Sequence, residues 1–154
     1  MRSFLVPLSL LAAIPFKPEI SNREAQALPA SSLAYLGDAV YELYVRSQEL
    51  TPVRRIQAYH LTVVAKVKAE AQAQVARQIL PLLSASEQDI FRRARNSAEG
   101  KPKRLAMAIY RQATGLEAVL GYLYLTDQDR LMEILEHCNA SLPCKELNDY
   151  GAET

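Results

Sequence analysis

The stretch Leu33-Ala34-Tyr35-Leu36-Gly37-Asp38-Ala39-Val40-Tyr41-Glu42 constrains this chain more tightly than any other. Leu33, Leu36, Val40 and Leu43 step by three and four, so a helix gathers them into one apolar stripe. Asp38 falls about 200° round from Leu36, on the opposite side. Ala34, Asp38 and Glu42, spaced by four, make a second stripe, small at its start and acidic after that. Gly37 is poor helix chemistry, costing about 0.8–1 kcal/mol against Ala. A glycine beside a carboxylate therefore suggests that something comes close to the backbone. On pattern alone the stretch reads as an ordinary amphipathic helix with a solvated Asp and Glu.

At 154 residues there is room for one domain with a core of useful size. Five glycines and 49% hydrophobic residues, with Ala and Leu frequent, favour a helical globule over a sandwich or barrel. The net charge of +1 gives the whole molecule no strong field to attract nucleic acid. Locally the balance is uneven. Arg92, Arg93, Arg95, Lys101, Lys103 and Arg104 face one acid, Glu99, whereas the stretch from Asp127 to Asp149 is mostly acidic. Such asymmetry suits anion binding at one place, although a solvated charged loop accounts for it equally well. Cys138 and Cys144 have the wrong spacing for a zinc knuckle and are too few for a disulfide framework. With His137 they leave a tetrahedral site one ligand short, so they are expected to be inert thiols in a reducing compartment. Phe4 to Phe16 is almost wholly apolar and partly imitates a secretory signal, but Pro7 and Pro15 break it. It also falls short of the ~20 residues that cross a bilayer. A cytoplasmic protein with no membrane partner is the expectation.

Taken in order, residues 1–29 carry four prolines and are expected to be irregular, residues 30–140 to form the domain, and residues 141–154 a frayed tail. Ser31-Ser32 should cap the first long helix, running to about Gln48. Thr51-Pro52 should open a helical region to about Leu80, broken near Thr62–Lys66. Ser84-Ala85-Ser86-Glu87 is a capping box, and the helix it opens leads through Arg92-Arg93-Ala94-Arg95-Asn96 into a loop containing Gly100 and Pro102. Another helix is expected over about Leu105 to Leu125. Thr126, with Asp129 three residues on, should cap a last one through about His137. No strand-like alternation and no internal repeat appears.

Glu117 is the single charge between Gly115 and Leu125. A carboxylate in so apolar a helix is costly unless it is paired, metal-bound or on an exposed edge. Gly121 lies one turn from it, as Gly37 lies beside Asp38. Two such helices could cross with their acids facing, the arrangement that holds a divalent cation in oxygen ligands. Spacing leaves this and an exposed Glu equally open.

The residues carry a resemblance that separates the two. Ala34-Tyr35-Leu36-Gly37-Asp38-Ala39-Val40-Tyr41-Glu42 closely resembles the signature helix of the ribonuclease III family, in the form of its short Mini-ribonuclease III subfamily. Tyr110 to Leu123, containing Thr114-Gly115-Leu116-Glu117-Ala118-Val119-Leu120-Gly121, looks like that family's second acidic motif. Arg93-Ala94-Arg95-Asn96 is similar to the segment before its RNA-contacting loop, and Lys68-Ala69-Glu70-Ala71-Gln72-Ala73 resembles another block of the subfamily. Longer members carry two further carboxylates where this chain has Ala34 and Thr114, which leaves the carried-over site thin. The chain also ends before the double-stranded-RNA-binding domain of longer relatives.

The resemblance implies an all-α, ribonuclease III-like domain that dimerises around the signature helices, with Tyr35 inserted into the partner subunit. Asp38 and Glu117 would be the catalytic and metal-binding residues, holding Mg²⁺ with Mn²⁺ as substitute. Arg95, Asn96, Lys101, Lys103, Arg104 and Arg111 would contact RNA. The implied activity is metal-dependent endonucleolytic cleavage of double-stranded RNA, in maturation of the ribosomal (23S) RNA precursor. The alternatives are a non-catalytic helical RNA-binding module of the same fold and a helical DNA-binding regulator.

Overall fold

The computed structural model describes residues 16–99 and 104–142. They form seven α-helices: α1 (Asn22–Ala27), α2 (Ala30–Glu49), α3 (Ile56–Val67), α4 (Ala69–Ile79), α5 (Ala85–Ser97), α6 (Arg104–Thr126) and α7 (Gln128–Ser141). A 3₁₀ turn at Leu80–Leu82 joins α4 to α5, and no strand occurs among the described residues. The fold is all-α. No helix among them is long and apolar enough to cross a membrane.

Helix α6 is the axis of the molecule. From Ala113 to Leu125 every residue except Glu117 is buried, which makes this segment apolar nearly all round, the pattern of a helix enclosed by others. Helices α1, α2, α4, α5 and α7 all pack on it. Leu116, Val119 and Leu120 are fully buried, each contributing about 1.5–3 kcal/mol of apolar transfer.

The tightest contact is between α2 and α6. An ideal Cβ built on Gly37 would lie 1.6 Å from the Glu117 carbonyl oxygen and 2.8 Å from the Gly121 nitrogen. One built on Gly121 would lie 2.0 Å from the Leu33 carbonyl oxygen. The two helices therefore meet main chain to main chain, and only glycine fits at either position. The phase of α2 follows from that contact. Its buried stripe is Leu33, Ala34, Gly37, Tyr41 and Val45, while Leu36 and Val40 are half-buried and Leu43 is exposed. The apolar stripe read from periodicity is thus rotated off the core.

Local chemistry explains the ends of the elements. Ser84 and Glu87 form the expected capping box. A second box, Ser21 with Glu24, makes α1 helical within the segment expected to be irregular. Helix α2 starts at Ala30 with Pro29 at its N-cap, so Ser31 and Ser32 are already inside it. The helix after Thr51-Pro52 begins only at Ile56. Arg54 holds the connection open by donating to Thr62 Oγ1 (3.0 Å) and pairing with Glu49 (3.4 Å). The break between α3 and α4 falls at Lys68, in extended backbone, slightly beyond the expected Thr62–Lys66. Asp127 rather than Thr126 caps α7, accepting from the Arg130 N–H at 2.9 Å. Thr126 stays in α6, its hydroxyl donating to the Tyr122 carbonyl at 2.8 Å. The frayed tail expected from residue 141 lies almost wholly outside the described residues, and Ser141 itself closes α7.

Candidate active site

The glycine crossing brings the two motif acids together. Asp38 follows Gly37 on α2, and the carbonyl facing Gly37 belongs to Glu117 itself. Asp38 stays exposed at the helix edge, while Glu117 is largely enclosed. Partial burial, and then the nearby Glu42, hold the Asp38 carboxyl above its usual range. The Glu117 carboxyl is pushed up to about 7, first by burial and then by the charge of Asp38, with the Gln72 side chain opposing the shift. An enclosed carboxyl held from ionising by burial and by the charge of Asp38 forms a site a cation would relieve.

The donor set can be tested against the ion. Among the described residues, no group of three or more His, Cys, Asp and Glu side chains is placed to hold a metal. Ala34 is buried, and the Thr114 hydroxyl donates to the Tyr110 carbonyl at 2.9 Å. Glu42 is paired with Arg46 at 2.9 Å. What remains is two carboxylates, Asp38 and Glu117. Mg²⁺ keeps several waters and is commonly held by one or two carboxylates plus substrate phosphate, so hard oxygen donors in this number fit it.

Other expected residues are more scattered. Arg111 is exposed on α6, six residues before Glu117 and so about 9 Å along the helix. Arg95 is half-buried in the last turn of α5, donating to Asn96 Oδ1 at 3.3 Å. It lines a groove with Arg92, Gln88 and Phe91. Phe91 lies against Gly115, where an added Cβ would stand 2.7 Å from the ring, and this seats α5 on α6 close to Glu117. Lys101 and Lys103 lie outside the described residues, as does the side chain of Arg104. Tyr35 is 87% exposed, on a face of α2 shared with the exposed Ala39 and Leu43. Cys138 is fully buried and its thiol pushed up to about 12 by burial, and His60 and His137 are exposed. Gln72 carried no chemical signal in the sequence beyond its place in the Lys68–Ala73 block, because an amide in an Ala-rich helix reads as surface.

A helical bundle with paired acids on two crossing helices defines a class, and comparison with known proteins agrees with it. Residues 31–128 match the model of the Ribonuclease III domain. A Mini-ribonuclease 3 of Thermosynechococcus vestitus is 54% identical over 112 residues, covering 73% of this chain and 74% of that protein. One from a Synechococcus species is 49% identical over 117 residues, covering 76% and 85%. The crystal structure of protein FN1578 from Fusobacterium nucleatum superposes with a TM-score of 0.66 at 32% identity, covering 74% of this chain and 91% of that one. The chain belongs to the ribonuclease III family, in its Mini-ribonuclease III branch, a family of endoribonucleases.

Proposed function

We propose that this protein is a Mg²⁺-dependent endoribonuclease that cleaves double-stranded RNA as a homodimer, in maturation of a ribosomal RNA precursor in the cytoplasm. The observation that carries the reading is the approach of Asp38 to Glu117 across the Gly37–Gly121 contact. These two carboxylates would hold the ion, which when bound supplies Lewis acidity to the scissile phosphate and acidifies the attacking water. The chain's own residues have three tasks. Asp38 and Glu117 set the position of the ion from two rigid helices. Arg111, Arg95 and the basic run through Lys101, Lys103 and Arg104 neutralise phosphates that the bare acids would repel, with Asn96 fixing the start of that run. The wall around Glu117 shields that one carboxylate from bulk water, which strengthens its own charge interactions. No side-chain nucleophile is needed, in keeping with the enclosed, protonated Cys138. Recognition rests on A-form shape and 2′-hydroxyls, because side chains cannot read the narrow major groove of RNA.

The homodimer is supported by the exposed apolar face of α2. Tyr35 and Leu43 are 87% and 60% exposed, and the flanking Leu36 and Val40 are half-buried. A monomer gains nothing by leaving such a face in water.

The test is incubation of a long RNA duplex with the protein, with and without Mg²⁺, beside Asp38→Asn. Metal-dependent cutting that the variant loses is the expected result. Binding without cutting would favour the non-catalytic RNA-binding module, which the two-carboxylate site permits, and preference for duplex DNA would favour a DNA-binding regulator.

A further inference from the structure

We propose that α3 is a latched strap, which parts from α2 separately from the rest of the fold and is held shut by the Glu49 carboxylate. The inference does not depend on Asp38 and Glu117 holding an ion. Of the twelve residues of α3 only Val63 is buried, with Tyr59 and Val67 partly so. Helix α4, of eleven residues, buries six. Ile56, Leu61 and Val64 of α3 are exposed. So little apolar burial is a weak return for ordering twelve residues, and elements held in this way open locally at low free energy. The two ends of α3 are joints. Residues 50–55 ahead of it lie outside any helix, and Lys68 behind it is in extended backbone.

Polar ties to α2 supply what packing does not, and they converge on one group. Glu49, at the end of α2 with its side chain 14% exposed, takes both Arg54 (3.4 Å) and Lys66. Arg54 also donates to Thr62 Oγ1 at 3.0 Å, and the Tyr59 hydroxyl donates to the Arg46 carbonyl at 2.6 Å. At the far end the buried Gln72 donates to the Val67 carbonyl at 2.9 Å, so that end stays with α4 when the ties to α2 break. Glu49 lies three turns beyond Asp38 and so on the same edge of α2, about 16 Å along the axis. The strap therefore closes one end of the edge that carries Asp38, and its parting widens that edge.

The experiment is hydrogen exchange of the whole chain at neutral pH, read by mass spectrometry on peptides from α3 and α6. In the natural protein the amides of α3 should exchange at least about 10-fold faster than those of α6. Glu49→Gln should speed α3 by a further factor of about 5, the worth of one good surface ion pair, and leave α6 as it was. Tyr59→Phe removes the other tie to α2 without touching charge and should speed α3 in the same selective way. Salt at about 1 M should bring the natural protein toward the Glu49→Gln rate, because it screens exposed ion pairs. Exchange of α3 as slow as that of α6 in the natural protein would overturn the proposal. So would a Glu49→Gln variant in which α3 is unchanged, or in which α3 and α6 speed up together, since the ion pairs would then hold nothing shut or hold the whole fold.

Discussion

Glu117→Gln should make the metal-free protein more stable at neutral and alkaline pH while abolishing its activity. In the folded chain the Glu117 carboxyl ionises only at about 7, against 4.5 for a free glutamate. An acid whose folded value is raised binds its proton longer in the native state than in the unfolded one. Stability therefore falls as pH climbs from about 4.5 to about 7 and levels off above that. At about 1.4 kcal/mol for each tenfold displacement, the cost at pH 8 is about 3 kcal/mol. For a chain of this size that corresponds to roughly 6–12 °C in melting temperature. Glutamine has the same shape and cannot ionise, so its variant should be spared the fall. The assay is urea unfolding of both proteins between pH 4.5 and 9 in the presence of a chelator. The difference should be small at pH 4.5 and grow to its full size above pH 7. Saturating Mg²⁺ should then stabilise the natural protein and leave the variant almost unmoved. Parallel pH curves, or a variant less stable at pH 8, would refute the reasoning.

Gly121→Ala should destabilise the protein by about 3 kcal/mol or more, at the upper end of overpacking, because its Cβ lands 2.0 Å from the Leu33 carbonyl oxygen. A urea midpoint unchanged from the natural protein would show that the helices can separate freely. Leu43→Asp, on the exposed face of α2, should shift sedimentation equilibrium from dimer to monomer with little change in helix content. A dimer that persists would move the interface elsewhere. The double substitution Lys101→Ala and Lys103→Ala should weaken duplex RNA binding and flatten its salt dependence, each lost phosphate contact lowering the slope by about 0.7–0.9. An unchanged slope would remove these lysines from the interface.

Much of the fold was legible because its signals are local. A serine with a glutamate three residues on starts a helix whatever surrounds it, which is why the box at Ser84 was read correctly and the one at Ser21 was there to be read. The phase of α2 was less accessible. Leu33, Leu36, Val40 and Leu43 do form a helical stripe, but the residues that face α6 were chosen for smallness and shape, namely Ala34, Gly37 and Tyr41. When apolar residues run most of the way round a helix, periodicity cannot say which arc is buried. The pairing of Asp38 with Glu117 was half-legible: each acid keeps a glycine nearby, but spacing left an exposed Glu117 equally open, and only the resemblance to the ribonuclease III family separated the two. The burial of Gln72 depends on α4 packing against α6, and nothing local marks it.

The glycine contact between α2 and α6 also decides how the chemistry can vary. In most clefts the gap between two acids is adjustable, since side chains can swing or lengthen. Here the separation of the two main chains that carry the acids is dictated by one peptide group resting on another, a ruler with no moving parts. The spacing of the two acid-bearing backbones is therefore inherited from the fold itself and exists before any ion or substrate arrives. A change large enough to retune it would first have to pry apart the centre of the molecule.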